Sequence, residues 1–379
     1  MAITNDSRRL RQHPRTSSPN GRICSPGIRT LTKECQERYK NRSYADLVLL
    51  DAVDSFSALF IVLFGLIILF PFALGFWMLF HWFSAEGEYI SPVRWLMAVM
   101  LPLYISVWGF KRQSLNLSGA FAAYVTGFIV TMSSYAFMVC LVGFFLLGSK
   151  STNVRADLKR RFEADYRKGG QRNWVQVFCN GGVATLFAFL YMLETGCREK
   201  AIDFSISYYE TTYALAVLGA LACSCGDTLA SELGSVWSRR EPRLITTFRK
   251  VPRGTNGAVS VTGLLLSILG GVIIAGLFYV TTLLCLHSNI MNSSPPQWPL
   301  IPLGGILGFL GSLFDSYLGA IFQYSGLDEM GRVVNFSGPK IVKISGFSIL
   351  DNHSVNFISV LLTALLAPRI GLTLWSYLY

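Results

Sequence analysis

Charge is scarce in this chain: Asp, Glu, Lys and Arg make up 15% of its 379 residues, against 52% hydrophobic side chains. A soluble domain carries about a quarter of its residues as charge, so an ordinary water-soluble globule is excluded. Histidine is also sparse, and the four present (His13, His81, His287 and His353) are too scattered to build a zinc site. Eight cysteines show neither metal-ligand spacing nor the frame of a secreted disulfide protein. Most lie in or beside apolar runs, and Cys223 and Cys225 point in different directions on a helix, so packing is their expected role. Heptads and tandem repeats are missing. A cleavable signal peptide is not expected either, because the first apolar run begins only after about 55 residues.

Long apolar runs are what the chain does contain. They cover 56–83, 92–109, 120–147, 174–193, 211–225, 259–286, 299–322 and 355–379. Most can cross about 30 Å of hydrocarbon as helices, so an all-α, polytopic membrane bundle is expected. The net charge of +11 sits in the connecting segments: the tail from Arg8 to Arg42, the stretch 150–172 and the stretch 239–253. Basic loops mark the cytoplasmic side, which predicts a cytoplasmic N-terminus and an opposite face formed by "SAEGEYIS" and "HSNIMNSSPPQWP". Alternation of sides fails only across 119–149, because Lys111–Arg112 and Lys150–Arg172 both belong inside. That segment is therefore read as two short helices turning near Ser133–Ser134, which makes about nine spans. Residues 1–54 are read as a basic, disordered cytoplasmic tail, and 55–379 as the integral membrane domain. The tail is rich in Arg and Ser, which also suits a transit peptide. An endomembrane is the expected location, with plastid or mitochondrial membranes as alternatives.

Function must then come from loops and from polar residues inside spans. The loop 148–182 carries Arg155, Lys159 and Arg172 among its cations, a surface able to grip lipid headgroups or phosphates. Asn173, Gln176 and Asn180 follow at helical spacing on one face, and buried amides need partners from other helices or from a polar ligand. Gly254, Thr255, Asn256 and Gly257, flanked by Lys250 and Arg253, form a turn with potential for anion binding. Thr255 or Asn256 is expected to cap the helix that follows.

Two spans carry acids. Asp227 lies near the end of one, with Glu232 five residues on, and Asp315 lies in the middle of another among small residues. A charged Asp at the bilayer centre costs about 2.5–3.5 kcal/mol, so each needs a partner. A divalent cation or a loop arginine would serve. Asp227, Glu232 and Asp315 offer hard oxygen ligands, which suit Mg²⁺. Asp351, Asn352 and Asn356 introduce the last span in the same manner, and a helix N-cap accounts equally well for the first two.

In order along the chain, "LSGAFAAYVTG", "GSKST", "GGQRNWVQVFCNGG", "CGDTLASELG", "VPRGTNGAVSVTG", "GSLFDSYLGAIFQ" and "LDNHSVNF" resemble the transmembrane protein 19 family, otherwise called domain of unknown function 92, over about residues 90–379. The resemblance implies kinship with plant and cyanobacterial phytyl phosphate kinase, which converts an isoprenoid monophosphate to the diphosphate with CTP as apparent donor. "GDTLASELG" and "KVPRGTNGAVSVTG" are also similar to patterns in dolichol kinases, phytol kinases and phosphatidate cytidylyltransferases. Carried over by motif, Asp227 and Asp315 would bind Mg²⁺, while Lys250, Gly254, Asn256 and Gly257 would meet nucleotide phosphates. The stretch "DSYLG" lacks the Arg and second Asp of the cytidylyltransferase signature, which favours phosphoryl over cytidylyl transfer.

The expected function is a CTP-dependent, Mg²⁺-using kinase of an isoprenoid monophosphate. In that reading Asp227, Asp315 and Lys250 do the chemistry, the 250–257 loop holds CTP, and Lys159, Arg172, Asn173, Gln176 and Asn180 receive the acceptor phosphate. Membrane lipid is the expected surrounding partner, and no nucleic acid is expected. The alternative is a proton- or cation-coupled transporter or lipid flippase built on the same two acids.

Overall fold

A computed structural model describes residues 90–154 and 171–378, with Pro71, Leu74, Gly75 and Met78. These all belong to one compact unit that begins at Ala58. The basic tail, all of the first apolar run but those four residues, Arg155 and Lys159 lie outside the described residues.

The main helices are α1 (Pro92–Lys111), α2 (Leu117–Ser133), α3 (Tyr135–Asn153), α4 (Trp174–Thr195), α5 (Tyr208–Glu232), α7 (Val261–Cys285), α9 (Leu300–Phe322) and α10 (Asn352–Leu378). Two short pieces, α6 (Gly234–Trp237) and α8 (Ser288–Ser293), sit in the connections. Seven of the long helices are apolar and long enough to cross a membrane, and the 17-residue α2 falls just short of that length. At about 1.5 Å per residue, α2 still reaches about 26 Å. The protein is thus a polytopic helical membrane protein, as expected.

The charge argument for a break inside 119–149 is met at the expected place. Ser134 is extended (φ −161°, ψ 141°) and ends α2 while its hydroxyl caps α3 by accepting from Ala136 N. Glu199, just beyond α4, holds this corner. It takes hydrogen bonds from Ser134 Oγ at 2.7 Å and Tyr135 N at 2.8 Å, and pairs with the buried Arg94 at 2.8 Å. The two halves run 17 and 19 residues because α3 continues through the polar "GSKSTN".

At the other end, Arg172 is stitched to the α1–α2 connection. Its N–H donates to Ser114 O, and its carbonyl accepts from Asn116 N. Cations at the end of α1, the end of α3 and the start of α4 therefore lie at one end of the bundle, with the Glu199 corner at the opposite end.

Helix α5 runs through the centre, buried on all sides from Ala214 to Gly226. Glycines let α7 and α9 close on it: a Cβ built on Gly226 would lie 3.0 Å from Gly308 Cα, and one on Gly270 would lie 2.8 Å from Gly226 Cα. Without a hydrophobic driving force between helices in lipid, such backbone approach is a main source of packing attraction. Its consequence is positional, since Asp227 is the next residue after Gly226.

Two small sheets, absent from the sequence expectations, complete the cation-rich end. Strands β1 (Arg243–Leu244) and β2 (Ala258–Val259) pair antiparallel across the 239–260 loop. Strands β3 (Ser325–Leu327), β4 (Val333–Val334) and β5 (Val342–Ser345) form a sheet in the order β4-β3-β5 between α9 and α10.

Candidate functional site

The cation-rich end encloses a polar cavity of about 700 Å³. Its walls come from the end of α3 (Thr152), the start of α4 (Arg172 to Asn180), the end of α5 (Asp227 to Glu232), the 253–260 loop, the middle of α9 (Ser312 to Ser316) and the start of α10 (Asn352 to Asn356). These places are far apart in sequence. Alternation of the spans brings them to one depth.

Asp227 and Asp315 are both half-buried in this wall and close enough to repel one another. Ser312 on α9 lies beside Asp227. Asp315 Oδ2 accepts from Ser359 Oγ at 3.3 Å and, with the Asn356 amide turned to satisfy both of its ends, from Asn356 nitrogen at 3.1 Å. Among the described residues neither acid is ion-paired with Arg or Lys. Two adjacent carboxylates beside serine hydroxyls are a hard-oxygen donor set, and such a set fits Mg²⁺.

The expected third acid, Glu232, lines the same cavity and its charge acts on Asp227. Among the described residues no three His, Cys, Asp or Glu side chains cluster tightly enough to share an ion. Glu232, more than a helical turn beyond Asp227, lies by Thr152 Oγ1 at 3.4 Å and interacts with Arg172. It lines the outer wall of the cavity rather than the two-acid centre.

Arg172 is fixed in place by its backbone bonds and by donating to Ser149 Oγ at 3.2 Å. Burial pulls its pKa down from the ordinary arginine value, while Glu232 opposes that shift. The guanidinium remains charged because arginine starts so high. The amide stripe is brought together, but all three of its members already serve the backbone, Asn180 by donating to Gln176 O at 2.9 Å. Asn173 caps α4 in a reciprocal capping box with Gln176, at 3.0 and 3.1 Å. Asn180 stands a turn deeper, where its side chain meets Asn356 at 3.4 Å.

The 254–257 turn lines the cavity, though in a different form from the one expected. The N–H groups of Thr255, Asn256 and Ala258 are already taken by Pro252 O, Ser325 Oγ and Thr255 O, so an open row of donors does not exist. Asn256 ties the turn to the sheet, donating to Tyr324 O at 3.1 Å and Asn335 Oδ1 at 3.0 Å. Gly254 and Gly257 have φ of +87° and +74°, and a Cβ on Gly257 would strike the α9 backbone at Ser316. The cap of α7 is Ser260, accepting from Gly263 N at 3.0 Å, rather than Thr255 or Asn256. The helix starts later because the turn is spent on β1–β2 pairing. Arg253 reaches back to Ser235 O and Ser238 O and stays in the wall. Lys250 does not line the cavity; it is exposed, 3.7 Å from Glu241, with its backbone bridged to Arg243.

Two residues near the acids were not singled out from the sequence. Ser359 on α10 donates to Asp315, and Gln323, buried at the foot of α9, has an amide nitrogen without a partner. The link from Ser359 to Asp315 is a signal visible only once α9 and α10 are paired.

A bundle of this kind, with seven apolar helices long enough to span a bilayer, is a multi-pass integral membrane protein. The comparisons with known proteins give the family: the integral membrane protein DUF92 family matches residues 100–364, and the chain belongs to it. Protein PGR of Arabidopsis thaliana is 41% identical over 274 residues, 72% of this chain and 94% of that protein. An uncharacterized membrane protein of Methanocaldococcus jannaschii, MJ0933, is 25% identical over 74% of this chain and 96% of its own length. Protein VTE6, chloroplastic, of Arabidopsis thaliana is 26% identical over 73% of this chain and 72% of its own length. No solved structure matches.

Proposed function

We propose that the protein is a lipid phosphate kinase that transfers a phosphoryl group from a nucleoside triphosphate, CTP by family resemblance, to an isoprenoid monophosphate. The observation that carries this reading is the pair Asp227 and Asp315, adjacent in a polar cavity and without a cationic partner among the described residues. Both substrates of such a reaction are polyanions, so the protein's task is to hold like charges together in line. Mg²⁺ bound by the two aspartates would supply charge neutralisation on the donor phosphates. Ser359 and Asn356 orient the Asp315 carboxylate through the hydrogen bonds already described.

Arg172 offers a fixed guanidinium to the acceptor phosphate, and Arg253 stands in the wall on the loop side. An oxygen of the acceptor phosphate attacks the terminal phosphorus of the donor. A new P–O–P linkage forms as the donor's β,γ bond breaks, and nucleoside diphosphate leaves with the electron pair. The cation-rich end would face the cytoplasm or its organellar equivalent, where nucleotides are found.

The test is turnover by the purified full-length protein with CTP, Mg²⁺ and a prenyl monophosphate, with other nucleotides run beside CTP. Prenyl diphosphate that disappears in Asp315→Asn supports the reading. A coupled transporter would use the same acids, and uptake into proteoliposomes without nucleotide, in the absence of any diphosphate product, is the outcome that favours it.

A further inference from the structure

A second chamber adjoins the polar cavity. It lies among α1, α2, α3 and α4 and is walled by apolar groups such as Pro102, Ala123, Val142 and Phe145. Its polar threshold is made of Arg172, Gln176, Asn180 and Thr228, and these four residues line the polar cavity as well. A hard, charged space and a greasy one therefore share a single wall.

The lining follows α2 from Ala123 to Thr131, nine residues separated by rises of about 1.5 Å, or about 12 Å of depth. That depth suits the first units of a prenyl chain. Gly181 on α4 keeps the bore open next to the threshold. A Cβ built there would meet only Thr126 Cγ2, at an ordinary 3.6 Å, so the space beside it is unfilled by neighbouring side chains. Elsewhere along the bore glycine has the opposite duty, since a Cβ on Gly127 would press on Pro102 Cβ at 2.7 Å.

We propose that this chamber is the tail site of the acceptor: the lipid's phosphate rests at Arg172, and the first isoprene units of its single hydrocarbon chain run down between α1, α2, α3 and α4. The inference rests on the isoprenoid phosphate reading and adds to it a basis for substrate choice. A tail leaves one apolar medium for another when it moves from membrane to bore, so burial itself gains little. Selection then comes from fit, because a packed bore rejects excess volume. One narrow chain enters, and the paired chains of a diacyl lipid do not.

The experiment measures binding to full-length protein in detergent, without nucleotide, for isopentenyl, geranyl, farnesyl and geranylgeranyl monophosphates and for diacyl phosphatidate. Gly181→Leu and Val142→Phe fill the bore from opposite sides. Each is expected to weaken geranyl and longer phosphates about tenfold relative to isopentenyl phosphate. Val280→Phe, on an exposed side of α7, changes no ratio. Ratios unchanged in both bore variants, or phosphatidate bound as tightly as geranyl phosphate, overturn the tail site. A chain-length shift in a protein that makes no diphosphate removes the kinase reading and keeps the chamber. Diphosphate formation with no shift does the reverse, and failure of every prenyl phosphate to bind removes both.

Discussion

Asp227 on α5 and Asp315 on α9 face one cavity and repel each other, and among the described residues no arginine or lysine neutralises either. Like charges half-buried side by side are costly unless a cation or a proton intervenes. Their juxtaposition follows from glycine contacts one residue away and not from any local sequence motif.

Asp227→Asn and Asp315→Asn are expected to lower turnover by at least about 100-fold, since loss even of a ligand's hydrogen-bonding partner costs 10- to 100-fold at metal sites. In metal-free protein each variant also relieves repulsion. The midpoint of thermal unfolding in excess chelator should therefore rise by a few degrees above wild type, about 1 kcal/mol. A fall in both variants would show that the acids are held by something other than a missing cation.

Gly226→Ala tests the contact that sets the two acids together. Its Cβ would meet Ser267 O at 2.8 Å and Gly308 Cα at 3.0 Å, all backbone that cannot swing aside. The expected cost is about 1–3 kcal/mol, read by thermal unfolding, with a loss of turnover larger than that destabilisation alone explains. Gly276→Ala, which has open space around its Cβ, is the matched control.

The loop 250–257 divides into two parts that a motif treats as one. Arg253→Ala removes a cavity residue that also fastens the loop to Ser235 and Ser238, and turnover should drop about tenfold or more. Lys250→Ala removes an exposed side chain paired weakly with Glu241, and turnover should stay within about twofold. Steady-state kinetics on the two variants decides the point.

Asp351 begins α10 by accepting from Ser354 N at 2.8 Å, the capping role that was one of the two readings of its place in the sequence. The hydroxyl and N–H of Ser354 hold its carboxyl below the ordinary value of 3.8. A carboxylate with a depressed folded pKa contributes its full stability above the unfolded value and loses it as pH falls through the lower folded value. Asp351→Ala should cost about 1 kcal/mol at neutral pH, whereas Asp351→Asn, an equally good cap, should cost little. Thermal unfolding across the acid range should show wild type losing this advantage below about pH 4 and the Asn variant flat by comparison.

Much of the fold was legible in the sequence, because in a bilayer apolar length and loop charge leave few alternatives. The turn at Ser134 came from charge bookkeeping alone: two basic segments on one side forced a break, and Ser134 with Glu199 supplies it. The two-acid centre was half legible. Asp315 stood out through its cost in hydrocarbon, but Glu232 was drawn in by proximity in sequence, although on α5 it lies more than a full turn from Asp227. Lys250 was misplaced because β1–β2 pairing and the Arg243 bridge turn it away from the cavity, and strands of two residues carry no periodic signal. The sheet at 325–345 escaped notice for the same reason. Ser359 was legible only through tertiary structure, since its partner Asp315 is more than forty residues earlier.

The most direct test is a titration of metal-free, full-length protein with Mn²⁺ as a paramagnetic stand-in for Mg²⁺, following free ion by electron paramagnetic resonance. One tightly bound ion per chain in wild type, lost in both Asp227→Asn and Asp315→Asn and displaced by excess Mg²⁺, is the predicted result. Binding that is absent from wild type, or that survives unchanged in both variants, would contradict the account.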